Sequence, residues 1–320
     1  MRRKASITEK EFETMNQGIS TEDLSYRKYA SVLDTYMAYV DVGNGDPIVF
    51  LHGSPTPSYL WRNVIPHLLP LGRCLAPDCV GMGYSAAAPS GSYRLRDHQR
   101  YLDAWLDAAG VEHNVVFVVH DWGSVLGFSW AQRHPERIKA LVYMEAIVRP
   151  FLSWDEWPDA TRPFFQALRT PAGEDLILKK NLNIEYLLPL RRIPQDVLEV
   201  YRRYSAIPGT ARLPMLVWAR ELPIEGEPKE VVEVVDSYSH WLSTTPVPKL
   251  FINADPAGIL IGGQREFCRT WLNQQETTVK GAHFLQEESP NEVGDAIARF
   301  VAKVLAGQIG RERSETTKAA

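Results

Sequence analysis

The chain has 320 residues, 45% of them hydrophobic and 23% charged, with a net charge of -4. That length suits one large core carrying an insertion, and the near-average composition excludes a disordered or fibrous protein. A slightly acidic balance gives no electropositive field for nucleic acid or an anionic membrane, so a small neutral substrate is expected.

Residues 1–33 open with the basic Met1-Arg2-Arg3-Lys4, continue polar and lack periodicity, so they are expected to be an N-terminal extension outside the core. No apolar run reaches the ~18 residues of a spanning helix or forms a signal core, and a cytoplasmic location is expected. Short apolar runs closed by Gly, Pro or a charge then recur at 36–41, 47–51, 74–77, 114–119, 140–143, 249–253 and 277–279. They read as strands, and the amphipathic stretches between them predict a mostly parallel central sheet flanked by helices. Residues 34–148 and 227–306 would form this core. Between them, 149–226 is rich in Trp, Phe, Leu, Pro and Arg at helical spacing and predicts a helical cap insertion. Ligands in open α/β sheets bind at the carboxyl ends of the strands, so such a cap would close over the site and exclude water. Residues 307–320 read as a solvated tail.

Within the first half, Gly81-Met82-Gly83-Tyr84-Ser85-Ala86 spells a dinucleotide fingerprint. Pro89 and Gly91 follow at once and leave no helix to offer its N-terminus to a pyrophosphate, so no cofactor is expected. Cys74, Cys79 and Cys268 are odd in number and lack metal-ligand spacing, which predicts buried thiols.

The most informative segment runs Val115-Val116-Phe117-Val118-Val119-His120-Asp121-Trp122-Gly123-Ser124. A continuous apolar run fits a strand buried on both faces, and the small residues after it let a helix approach the sheet. Asp121 stands at the junction, where the α/β-hydrolase fold presents its nucleophile on a sharp turn. An aspartate there is ionised without help and can displace a leaving group from saturated carbon to give an ester. It can equally be a helix N-cap. His283, after the last strand, is placed to activate the water that hydrolyses such an ester. The acid behind the histidine has two candidates, Glu145 and Asp255, each at the end of a strand. The backbone N–H groups of Trp122 and Ser54 would form the oxyanion hole.

Leu51-His52-Gly53, Ser58-Tyr59-Leu60-Trp61-Arg62, His120-Asp121-Trp122-Gly123-Ser124, Ser153-Trp154-Asp155-Glu156-Trp157-Pro158 and Gly281-Ala282-His283-Phe284-Leu285-Gln286-Glu287 resemble the haloalkane dehalogenases. The related cofactor-free Renilla-type luciferases share these motifs. The resemblance implies an α/β-hydrolase fold and a triad of Asp121, Glu145 and His283. It further implies an alkyl-enzyme intermediate that water cleaves to alcohol and halide, with the indole N–H of Trp122 holding the departing halide. The family pattern puts an asparagine, the second halide donor, where this chain has Ser54, whose hydroxyl is shorter. Asn183 is a candidate replacement. Phe165, Leu168, Pro150 and Phe284 are expected to line the substrate cavity. The implied partners are a small haloalkane, halide and water, with the chain a monomer or weak homo-oligomer. Two other activities fit the same scaffold. One is a coelenterazine-type luciferase. The other is an epoxide hydrolase drawing its acid from Tyr186, Tyr201 or Tyr204.

Overall fold

The computed structural model describes residues 20–23, 27–191 and 193–310. Among them, eight strands build one sheet: β1 (Arg27–Val32), β2 (Thr35–Gly43), β3 (Pro47–Leu51), β4 (Arg73–Pro77), β5 (Val115–Asp121), β6 (Ile138–Ala146), β7 (Lys249–Pro256) and β8 (Gln274–Gly281). Their spatial order is β1-β2-β4-β3-β5-β6-β7-β8. The pairings of β1 with β2 and of β2 with β4 are antiparallel, and every later pairing is parallel.

β5 shows why the sheet is buried on both faces. Side chains alternate along a strand, so Val115, Phe117 and Val119 enter one apolar layer while Val116 and Val118 enter the other. The main helices are α1 (Leu95–Ala108), α2 (Trp122–Arg133), α3 (Arg162–Leu168), α4 (Gln195–Tyr204), α5 (Leu213–Arg220), α6 (Lys229–Thr244), α7 (Gly262–Arg269) and α8 (Pro290–Leu305). On α6, the Tyr238 hydroxyl donates to Ile147 O at 2.6 Å and the Ser239 hydroxyl to Val148 O at 2.6 Å, which fixes the chain as it leaves β6.

Between β6 and α6 the chain is helical, with α3, α4 and α5 joined by short turns and two π-helical stretches, Asp175–Lys179 and Asn183–Leu187. Isolated bridges from Phe151 to Ile224 and from Ile224 to Glu227 close its base.

One expectation changes. The segment read as an extension contains β1, whose residues pair with β2 from Arg27–Val40 to Val32–Thr35. As an edge strand it exposes half its side chains, so its sequence is polar and shows no apolar run. Residues 1–19 of that segment, and the tail from 311 onward, lie outside the described residues. The cysteines are free and buried. The glycine-rich stretch 81–86 is a run of turns and not a strand-to-helix loop. A Cβ on Gly83 would lie 2.4 Å from the Asp78 carboxyl. That carboxylate accepts the N–H groups of Ser58 and Tyr84 at 2.8 and 2.9 Å. No helix among the described residues is long and apolar enough to cross a membrane.

Candidate active site

β5 ends on Asp121, whose backbone has φ 51 and ψ -128. A residue with a side chain held there costs on the order of 1–3 kcal/mol and persists only where its surroundings determine it. They do so here. The Ser124 hydroxyl donates to Asp121 O at 2.5 Å and accepts the Ile147 N–H at 2.9 Å, tying the turn to the end of β6. Close approach is enforced by glycine at two points. A Cβ on Gly123 would lie 2.2 Å from Leu51 O, and one on Gly53 would lie 2.0 Å from Asp121 Oδ1.

Asp121 stands at the N-cap position of α2 and is 7% exposed, but its carboxylate makes no side-chain capping bond to the helix and is free for another role. Its Oδ1 accepts the Ser54 N–H at 2.8 Å, and the Trp122 N–H also donates to the carboxylate. Its Oδ2 lies 3.6 Å from His283 Nε2. Burial pushes the carboxyl above the ordinary range, while His283 and the Ser54 and Trp122 N–H groups pull it back.

Behind His283 stands Glu145, 1% exposed. Its Oε2 lies 3.2 Å from His283 Nδ1 and accepts the Gly258 and Ile259 N–H groups at 2.9 and 2.6 Å. A carboxylate only accepts, so Nδ1 carries a proton toward Glu145 and Nε2 is the ring nitrogen that faces Asp121. A β-bulge makes this possible. His120 pairs with Met144 and Asp121 with Ala146, so Glu145 is the extra residue, at φ 43. Asp255, the other candidate, is exposed at the end of β7. Of the two acids the structure brings Glu145 to the histidine.

Two buried histidines, His52 and His120, brace this arrangement, a role that the motifs containing them did not show. His52 receives the Cys79 N–H on Nε2 at 2.9 Å, so its Nδ1–H donates to Gly53 O at 2.8 Å and clamps the loop that carries Ser54. His120 Nε2 lies 2.7 Å from His283 O. Burial pushes both rings below the usual imidazole range, which keeps them neutral.

Asp121 and His283 open into a narrow, largely apolar cleft. Ser54, Trp122, Phe165, Phe284 and Asn183 line it. Trp122 is held by stacking on Trp218 of α5, with centroids 5.7 Å apart and planes 24° apart. Pro150 and Leu168 are not on the wall. Leu168 is wholly buried in the apolar packing at the end of α3, and the Pro150 carbonyl accepts Arg149 Nη1 at 3.0 Å at the foot of the helical segment. Trp157, Thr161, Met215, Ala219, Leu222 and Ile259 line the cleft instead. Helical spacing alone does not say which way each helix is turned, and only Trp157 belonged to a recognisable motif.

None of Tyr186, Tyr201 and Tyr204 lines the cleft. The Tyr201 hydroxyl donates to Glu287, the Tyr204 hydroxyl to Asp23, and Tyr186 is 39% exposed. The acid an epoxide hydrolase requires is therefore missing from these positions.

Residues 46–171 match the family model described as alpha/beta hydrolase fold. The chain is 49% identical over 284 residues to a haloalkane dehalogenase of Sphingobium indicum, covering 87% of this chain and 96% of that one. It is 38% identical over 285 residues to the coelenterazine h 2-monooxygenase of Renilla reniformis, covering 87% and 91%. A crystal structure of haloalkane dehalogenase DbeA from Bradyrhizobium elkani superposes with a TM-score of 0.83 at 36% identity, covering 88% and 99%. With this likeness over nearly its whole described length, the chain belongs to the haloalkane dehalogenase family of the α/β-hydrolase fold.

Proposed function

We propose that the chain is a haloalkane dehalogenase that cleaves carbon–halogen bonds in two steps. The observation that carries this reading is the asymmetric Asp121 carboxylate. Oδ1 accepts the Ser54 main-chain N–H at 2.8 Å, while Oδ2 lies 3.6 Å from His283 Nε2. Oδ2 attacks the halogen-bearing carbon, the carbon–halogen bond breaks as the carbon–oxygen bond forms, and halide departs with the electron pair. The indole N–H of Trp122, assisted by the Ser54 hydroxyl, receives the halide in the cleft, where a donor in apolar surroundings is worth more than one in water. Oδ1 is then the ester carbonyl oxygen and already accepts the Ser54 N–H, a donor that stabilises the next oxyanion.

His283 Nε2 takes a proton from water, the hydroxide adds to the ester carbonyl, and collapse returns the Asp121 carboxylate and frees the alcohol. Glu145 holds Nδ1–H and stabilises the imidazolium formed. The sum is haloalkane plus water giving alcohol, halide and a proton. Residues 149–226 act as a cap that excludes bulk water from both steps. As part of the same reading we place the protein in the cytoplasm.

Incubation with 1,3-dibromopropane or 1-iodobutane is expected to release halide and acidify a weak buffer. No halide from a broad panel of haloalkanes would overturn the assignment. The likeness to the Renilla monooxygenase supports a second reading, oxidation of coelenterazine with light emission, which photon counting on adding that compound tests directly.

A further inference from the structure

The part of the cleft wall built from the helical segment carries three hydrogen-bonding side chains, Trp157, Thr161 and Asn183. Two of them are satisfied within that segment: the Trp157 indole N–H donates to Thr161 Oγ1 at 3.2 Å, and Thr161 Oγ1 lies 3.4 Å from Pro158 O. Asn183 differs. It is only 3% exposed, yet its Oδ1 has no hydrogen-bond partner among the described residues. An amide buried without a partner needs an explanation, because desolvating it is unfavourable unless something else completes its bonds.

The backbone puts it there deliberately. Asn183 opens the π-helical stretch Asn183–Leu187, and both end residues of that stretch face the cleft. Single π turns of this kind are rare and concentrate at functional sites.

We propose that Asn183 is a receptor for a hydroxyl group on the substrate, remote from the carbon attacked by Asp121, and that the preferred substrates are haloalcohols rather than plain haloalkanes. This deepens the dehalogenase reading and rests on it. The ligand chemistry follows from the site. The cleft already contains the Asp121 carboxylate, so a second anion would be repelled, and its other lining is largely apolar, which disfavours a free cation. A neutral hydroxyl both donates and accepts, so it pairs with the amide whichever way the amide is turned. Asp121, Trp122 and Ser54 reach the cleft from the ends of the sheet strands and Asn183 from the helical segment, and the apolar Phe165, Met215 and Leu222 line the same cleft.

The test compares 1-bromohexane with 6-bromohexan-1-ol in wild type and in Asn183→Leu. Wild type is expected to show the higher kcat/KM for the bromoalcohol. Asn183→Leu is expected to lower the ratio of kcat/KM for the bromoalcohol over 1-bromohexane by about tenfold, equivalent to about 1.4 kcal/mol. Equal losses on both substrates would overturn the proposal and assign the amide to the halide. An unchanged ratio would overturn it as well. Calorimetric titration of wild-type protein with hexane-1,6-diol and hexan-1-ol gives a reading that needs neither turnover nor a folded variant. Tighter binding of the diol supports the hydroxyl subsite, and equal binding refutes it. If neither bromide is released yet the diol binds more tightly, the dehalogenase reading fails and the subsite stands.

Discussion

Replacing Gly53 with alanine tests the geometry of the nucleophile without touching any reacting group. The added Cβ would lie 2.0 Å from Asp121 Oδ1, 2.4 Å from its Cβ and 2.5 Å from its Cγ. Ordinary contact between such atoms begins near ~3.5 Å, so the carboxylate or the loop must withdraw by more than ~1 Å. The first bond to suffer is the 2.8 Å donation from Ser54 N–H to Oδ1. Removing one oxyanion-hole donor typically costs ~3 kcal/mol, and a ~1 Å misplacement of a reacting group costs ~100-fold. The kcat/KM for halide release from 1-iodobutane is therefore expected to fall by ~100-fold or more. Overpacking of this kind destabilises by ~1–3 kcal/mol, which calorimetry will show as a lowered but intact unfolding transition. A folded Gly53→Ala protein within ~3-fold of wild-type kcat/KM would refute the reasoning, because it would mean that the Ser54 contact is dispensable.

Other expectations follow from the same geometry. Ser54→Asn supplies the longer amide that the family pattern carries at this position, and kcat for halide release is expected to rise by ~10-fold or more, since one well-placed donor is worth up to ~100-fold or above; an unchanged or lower kcat would show that another group already fills the role. Asp121→Asn is expected to raise Tm at neutral pH. Burial holds the folded carboxyl above its unfolded value, so the native state binds the extra proton, and the stability this group contributes is lost as pH rises through the folded pKa. The gain from asparagine should vanish in acid below the unfolded carboxyl value near ~3.9, and a gain that persists there would contradict this cause. Arg62 pairs with Glu287 through Nη1 and Nη2 at 2.6 and 2.7 Å, with both side chains almost wholly buried. Arg62→Met strands that carboxylate and is expected to cost ~3–5 kcal/mol in urea unfolding; a loss under ~1 kcal/mol would show that Glu287 is accommodated without it.

How much of this was legible in the sequence depends on whether the cause was local. The run from Val115 to Val119 announces a strand buried on both faces, and the small residues after Asp121 announce the turn, because each position there tolerates few alternatives. Spacing alone left Glu145 and Asp255 both open and only the family resemblance singled out Glu145, because the bulge and positive φ that bring it to the histidine leave no compositional trace. β1 was missed because an edge strand that shows half its side chains to water resembles an extension. Phe165 reached the cleft and Leu168 did not, although both lie on α3. Period gives the spacing of an apolar stripe, but tertiary packing decides what that stripe faces. The supports contributed by His52 and His120 are long-range contacts to Cys79 N–H and His283 O, visible only once the strands are assembled.

The account turns on Asp121 bonding to carbon and being released by attack at its own carbonyl. A single turnover with enzyme in excess over 1-iodobutane, run in water labelled with heavy oxygen, tests that most directly. The label is expected in the Asp121 carboxylate, found by mass spectrometry of the peptide that contains it, with the alcohol carrying ordinary oxygen. Label in the alcohol and none in Asp121 would mean that water attacks the substrate directly, which contradicts the two-step mechanism.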